Sequence, residues 1–92
     1  MSVYVSNYIR TLTPLHFNKE QPRKIAHKGG DMLVFFFAKW CVHCMNFEQT
    51  FIDLSNEVPS NISCCVFDKD LFRSHGPRVE GYPTIMLFKN DT

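Results

Sequence analysis

Met32-Leu-Val-Phe-Phe-Phe-Ala38 is a short, wholly apolar run, the pattern of a strand covered on both faces. After Trp40 the period changes. Phe47, Phe51, Leu54 and Val58 recur at spacings of four, three and four, with Glu48, Asp53, Asn56 and Glu57 between them. That spacing predicts an amphipathic helix ending before Pro59. Upstream, Ile9–Leu12 predicts a first strand, and Thr13-Pro14 a cap and first helical position. Leu15, Phe17 and Ile25 mark a first helix that Pro22 breaks or restarts, and Gly29-Gly30-Asp31 ends the segment. Downstream, Ile62–Phe67 predicts a third strand, Asp68–His75 a loop with a short helix, and Thr84–Phe88 a last strand. The order β-α-β-α-β-α-β is an α/β layout, with helices flanking a mixed sheet. Residues 1–8 are polar and read as a tail or an extra edge segment, leaving residues 9–92 as one domain.

Composition narrows the function more than the fold. Hydrophobic residues are 45% of the 92 and charged residues 21%, a globular mixture. Ten Lys and Arg against nine Asp and Glu leave a net charge of +1. That balance argues against a mainly electrostatic nucleic-acid binder, which needs a basic stripe. No apolar run approaches the roughly 18–20 residues of a membrane-spanning helix. Of the nine Phe, Phe36, Phe47, Phe51 and Phe88 are expected in the core.

The chemistry is in the cysteines. Four occur, as Cys41-Val42-His43-Cys44 and as the adjacent Cys64-Cys65. A disulfide scaffold spreads its cysteines to close long loops, and a four-cysteine zinc site usually wants two C-x-x-C knuckles. Neither pattern fits. The C-x-x-C lies where a buried strand turns into a helix, which puts Cys41 at the helix N-terminus. Unpaired N–H groups and the macrodipole favour an anion there, and the thiolate is the nucleophile of disulfide exchange. Cys44, one turn along and facing inward, is placed to attack a mixed disulfide. Two buried structural cysteines would be the bland alternative, but a core helix has no need to begin Trp-Cys-x-x-Cys. Cys64 and Cys65, as successive strand residues, face opposite ways and do not readily bond to each other. They read as small core residues, with one exposed regulatory thiol as the other reading. His16, His27 and His75 are too scattered to form a site.

Phe37-Ala-Lys-Trp-Cys-Val-His-Cys44, taken with Val79-Glu-Gly-Tyr-Pro-Thr-Ile85, resembles the thioredoxin family over roughly residues 9–90. The Cys-x-His-Cys form and Gly-Tyr-Pro-Thr are closer to the catalytic domains of protein disulfide isomerase than to thioredoxin itself. The resemblance implies the thioredoxin-like fold, Cys41 as attacking thiol, Cys44 as resolving thiol and Pro83 as a cis-proline beside them. It also implies that Trp40 shields the disulfide and offers a flat apolar contact, and that substrate backbone docks along Tyr82–Pro83. Between the cysteines, an imidazolium at His43 would stabilise the Cys41 thiolate. The family works with its own cysteine pair, so no cofactor and no metal are implied. The partners implied are protein substrates with thiols or disulfides and a redox partner protein, with no nucleic acid and no membrane.

Four departures qualify the match. Val42 replaces the family's usual glycine, adding bulk next to the attacking sulfur. Phe35 stands where the family keeps a buried acid that relays a proton for the resolving cysteine, so Cys44 needs another route, such as His43 or water. Gln49 replaces the proline that kinks the family's helix, so a straighter helix is expected. The family's last hairpin strand and final helix have no counterpart after Asp91, which predicts an uncovered edge and apolar surface and opens a route to a homodimer.

The leading expectation is a thiol–disulfide oxidoreductase acting on proteins. A thioredoxin-fold binding module with incidental redox activity is the second reading, and a structural zinc at Cys41 and Cys44 the third. Neither a secretory leader nor a retention signal is visible, which favours the cytoplasm. A domain excised from a secretory-pathway protein would have lost both cues.

Overall fold

The structure, a computed structural model, describes residues 9–17, 20–21 and 30–89. Four strands form one sheet: β1 (Ile9–Thr11), β2 (Asp31–Phe37), β3 (Ile62–Asp68) and β4 (Thr84–Phe88), with helix α1 (Val42–Ser55) between β2 and β3. The spatial order is β1-β3-β2-β4. β1 and β2 both run parallel to β3, while β4 is antiparallel to β2. The sheet is mixed, as the sequence led one to expect.

The apolar run in β2 is divided by the two-residue period of a strand. Phe35 and Phe37 join Ile9, Cys64 and Val66 on the face that carries α1. Met32, Val34 and Phe36 join Cys65, Phe67 and Phe88 on the other. From α1, Cys44 and Phe51 are fully buried, and Phe47, Ile52 and Leu54 pack on the same cluster. The predicted helix therefore has the predicted face, and it ends ahead of Pro59. Phe17 closes the opposite face with its ring 4.7 Å from Phe67 and 6.0 Å from Phe88, both edge-on.

Two expected helices differ. Thr13 is the N-cap and Pro14 the first position, but the element is a single 3-10 turn, Pro14–His16. The Thr13 N–H bonds to His16 Nδ1 at 3.0 Å, and Phe17 then takes extended angles that send its ring into the core. Leu15 is exposed, and Ile25, Pro22 and Gly29 lie outside the described residues, as do residues 1–8. The short helix expected within Asp68–His75 is a run of turns instead. One helical bond starts there, from the Phe72 N–H to the Asp68 carbonyl at 3.1 Å, with Asp68 Oδ1 capping the Leu71 N–H at 3.0 Å, but Lys69 Nζ then occupies the carbonyls of Arg73 and His75. Such local bonds compete with a helical ladder. Along β4, whose outer edge has no partner strand among the described residues, Ile85 and Leu87 are exposed. They lie opposite Phe35 and Leu33, hence on the α1 face.

Candidate active site

β2 delivers the chain to the helix through one tight turn. The Cys41 N–H bonds back to the Ala38 carbonyl at 3.1 Å, leaving Cys41 in extended conformation as the N-cap of α1. Its Sγ accepts the Cys44 N–H at 3.1 Å, satisfying one of the orphan donors of the first turn. The two sulfurs are brought together one turn apart, buried, and both are free thiols. Burial, then the bond with Cys41, pushes the Cys44 thiol up to about 12.

Around this pair the flanking residues divide by exposure. Trp40, Val42 and Met45 stand out in solvent, with Trp40 64% and Val42 60% exposed. Trp40 meets the Tyr82 ring edge-on at 5.7 Å. The Tyr82–Pro83 peptide bond is cis, and the Thr84 hydroxyl donates to the Gly81 carbonyl at 2.6 Å across the turn. Tyr82 packs against the cluster that holds Cys41 and Cys44, and burial raises its hydroxyl. His43 is exposed on the first helical turn and has no hydrogen-bond partner among the described residues. The structure thus links Trp40 to Tyr82 and Tyr82 to the cluster holding Cys41 and Cys44, with Pro83 next in the chain, and leaves Val42 and His43 exposed.

Beneath the pair, Phe35 is completely buried, its ring 5.2–6.0 Å from those of Phe37, Phe47 and Phe51. Gln49 leaves α1 continuous and donates to Asp53 Oδ1 at 2.9 Å, one turn on. Cys64 and Cys65 are buried on opposite faces of β3, as expected for core residues. No cluster of three or more His, Cys, Asp or Glu able to hold a metal occurs among the described residues. One residue escaped the sequence reading. Glu48, assigned there to the polar face of α1, carries an Oε1 that is buried with no hydrogen-bond partner among the described residues. Its spacing of four from Cys44 was the available signal.

Comparison with known proteins agrees with this fold. The family model for thioredoxin matches residues 10–92. The chain is 31% identical over 85 residues to Protein disulfide-isomerase like 2-2 of Arabidopsis thaliana, covering 90% of this chain and 18% of that protein. It is 29% identical over 85 residues to human Protein disulfide-isomerase A6, with the same two coverages. It therefore spans less than a fifth of either relative. Among solved structures, the Trx4 domain of ERdj5 superposes with a TM-score of 0.73 at 22% identity, covering 95% of this chain and 75% of that one. A likeness at that identity shows the fold alone.

Proposed function

The chain belongs to the thioredoxin family, and from that premise we propose that it is a thiol–disulfide oxidoreductase exchanging disulfides with protein substrates through Cys41 and Cys44. One observation carries the reading. Two free thiols lie one turn apart at a helix N-terminus, with Cys44 N–H on Cys41 Sγ at 3.1 Å. In that position a Cys41 thiolate is stabilised by a backbone donor and by the helix dipole. It attacks a substrate disulfide, forming a mixed disulfide and releasing one substrate thiolate. Cys44 then attacks Cys41 Sγ, closing the Cys41–Cys44 disulfide and releasing the second. A redox partner protein returns the pair to its starting state. Trp40, Val42, Tyr82 and Pro83 form the surface that receives the substrate segment, supported by the exposure of Trp40 and Val42 beside the buried pair. His43, adjacent in the first turn, supplies positive charge when protonated.

The curated relatives are protein disulfide-isomerases. Disulfides persist in oxidising compartments, so a secretory-pathway lumen fits this reading. The cytoplasmic expectation finds no support in them.

Insulin reduction by the wild type, Cys41→Ser and Cys44→Ser is the direct test. Turnover by the wild type alone is the expected result; equal background rates in all three would leave the binding-module reading in its place. The reduction potential of the pair then separates a reductase, near cytosolic poise, from an oxidase or isomerase with a higher value.

A further inference from the structure

Resolution of the mixed disulfide needs Cys44 as thiolate, and Cys44 is badly placed to become one. Its thiol is buried and pushed up to about 12, so it is overwhelmingly protonated at pH 7. The strand residue below, Phe35, is packed among aromatic rings and accepts no proton. Glu48 follows Cys44 by four positions on α1, which sets it one turn away on the same face. Its Oε1 is sealed from solvent with no hydrogen-bond partner among the described residues. A buried acceptor left without a donor is costly, so it calls for an explanation. The Glu48 carboxylate also acts on Cys44 through space, its charge adding to the upward push on the thiol. The other titratable groups that reach Cys44 are Cys41 and the Tyr82 hydroxyl, itself raised by burial and so protonated at neutral pH.

We propose that Glu48 takes the proton from the Cys44 thiol during resolution, directly or across one water. This rests on the oxidoreductase reading and adds the residue that replaces the missing acid of the strand. In the step, Cys44 Sγ bonds to Cys41 Sγ as the bond between Cys41 and the substrate sulfur breaks. The proton of Cys44 passes to the Glu48 carboxylate and from there to the departing substrate thiolate. Over the whole exchange, two electrons move from the cysteine pair to the substrate disulfide.

Single-turnover reaction of the reduced chain with a chromogenic aryl disulfide separates the steps. The first aryl thiolate released reports attack by Cys41, and the second reports resolution by Cys44. Cys64 and Cys65 are buried and do not compete in those phases. In Glu48→Gln the first phase is expected to be unchanged. The second is expected to slow on the order of 100-fold at pH 7, with the deficit closing as hydroxide takes over at higher pH. A purely electrostatic role predicts the reverse, because loss of the negative charge eases deprotonation of Cys44 and speeds the second phase. A second phase as fast as wild type, or faster, overturns the proposal. Should Glu48→Gln fail to fold, the wild type still decides: its second phase slows in deuterium oxide more than its first, and equal slowing overturns the proposal. A wild type that releases no second equivalent overturns both this and the oxidoreductase reading; an active wild type with an unaffected Glu48→Gln overturns this inference alone.

Discussion

The Cys44 N–H donates to Cys41 Sγ at 3.1 Å, so one sulfur is both the N-cap of α1 and the proposed nucleophile. The two roles separate by substitution. Serine caps well and alanine does not, with loss of a cap costing about 1 kcal/mol. Cys41→Ser is expected to keep wild-type stability in urea, whereas Cys41→Ala loses about that amount, and both lose disulfide exchange. Equal midpoints for the two variants would remove the capping role.

Phe35 is held by three rings, those of Phe37, Phe47 and Phe51, and is fully buried. Truncation to alanine leaves a void that β2 and α1 cannot close. The expected cost for Phe35→Ala is about 3–5 kcal/mol, a large share of a small domain's total stability. Phe35→Leu keeps most of the volume and is expected to cost less than about 2 kcal/mol. Urea midpoints that rank leucine no better than alanine would mean that the aromatic contacts matter more than the filled space.

Alkaline pH probes the buried thiols. Burial pushes Cys65 from 9.0 to about 12, and Cys44 moves the same way. The folded chain keeps these protons over a range in which the unfolded chain has released them. Their stabilisation is complete below pH 9 and is lost as pH climbs towards 12. Lys69 acts in the opposite sense: burial lowers it from 10.5, so its contribution rises with pH until the unfolded lysine also deprotonates. Two thiols lose their stabilisation over this range against one lysine gaining it, so the thiols are expected to dominate. The urea midpoint of wild type should fall between pH 9 and 11, and less steeply in Cys65→Val. Identical slopes would show that Cys65 does not set the alkaline limit.

What the sequence disclosed follows physical range. β2 and α1 were legible because the first is an unbroken apolar run and the second has a strong helical period, with sharp limits at Gly30-Asp31 before β2 and Pro59 after α1. The placement of Cys41 at the helix N-terminus followed from the change of period after Trp40, and the structure makes it the N-cap. Between Thr13 and Phe17, and again from Asp68 to His75, the outcome turned on particular side-chain bonds, His16 with Thr13 and Lys69 with two carbonyls. Composition and period carry no trace of those. Glu48 was hidden for a related reason: a charged residue beside a helix's apolar stripe ordinarily reaches solvent, and only packing shows that its Oε1 does not.

Gly30 shows how a close approach fixes the start of a strand pair. It immediately precedes β2, and a Cβ built there would lie 1.9 Å from the carbonyl oxygen of Asn61, just ahead of β3. The next pair in register is Asp31 with Ile62, so the contact sits at the mouth of the central parallel ladder. That oxygen belongs to the backbone and cannot swing aside as a long side chain would. Gly30→Ala must therefore separate the two strands at their entry, at an expected cost of about 1–3 kcal/mol. Because Cys41 and Cys44 lie beyond the far end of β2, exchange kinetics below the new melting point should match wild type. Amide hydrogen exchange should quicken at the first residues of β2 and β3 while α1 keeps its protection. Uniform loss of protection across the sheet and α1 would instead mean that the contact governs the global fold.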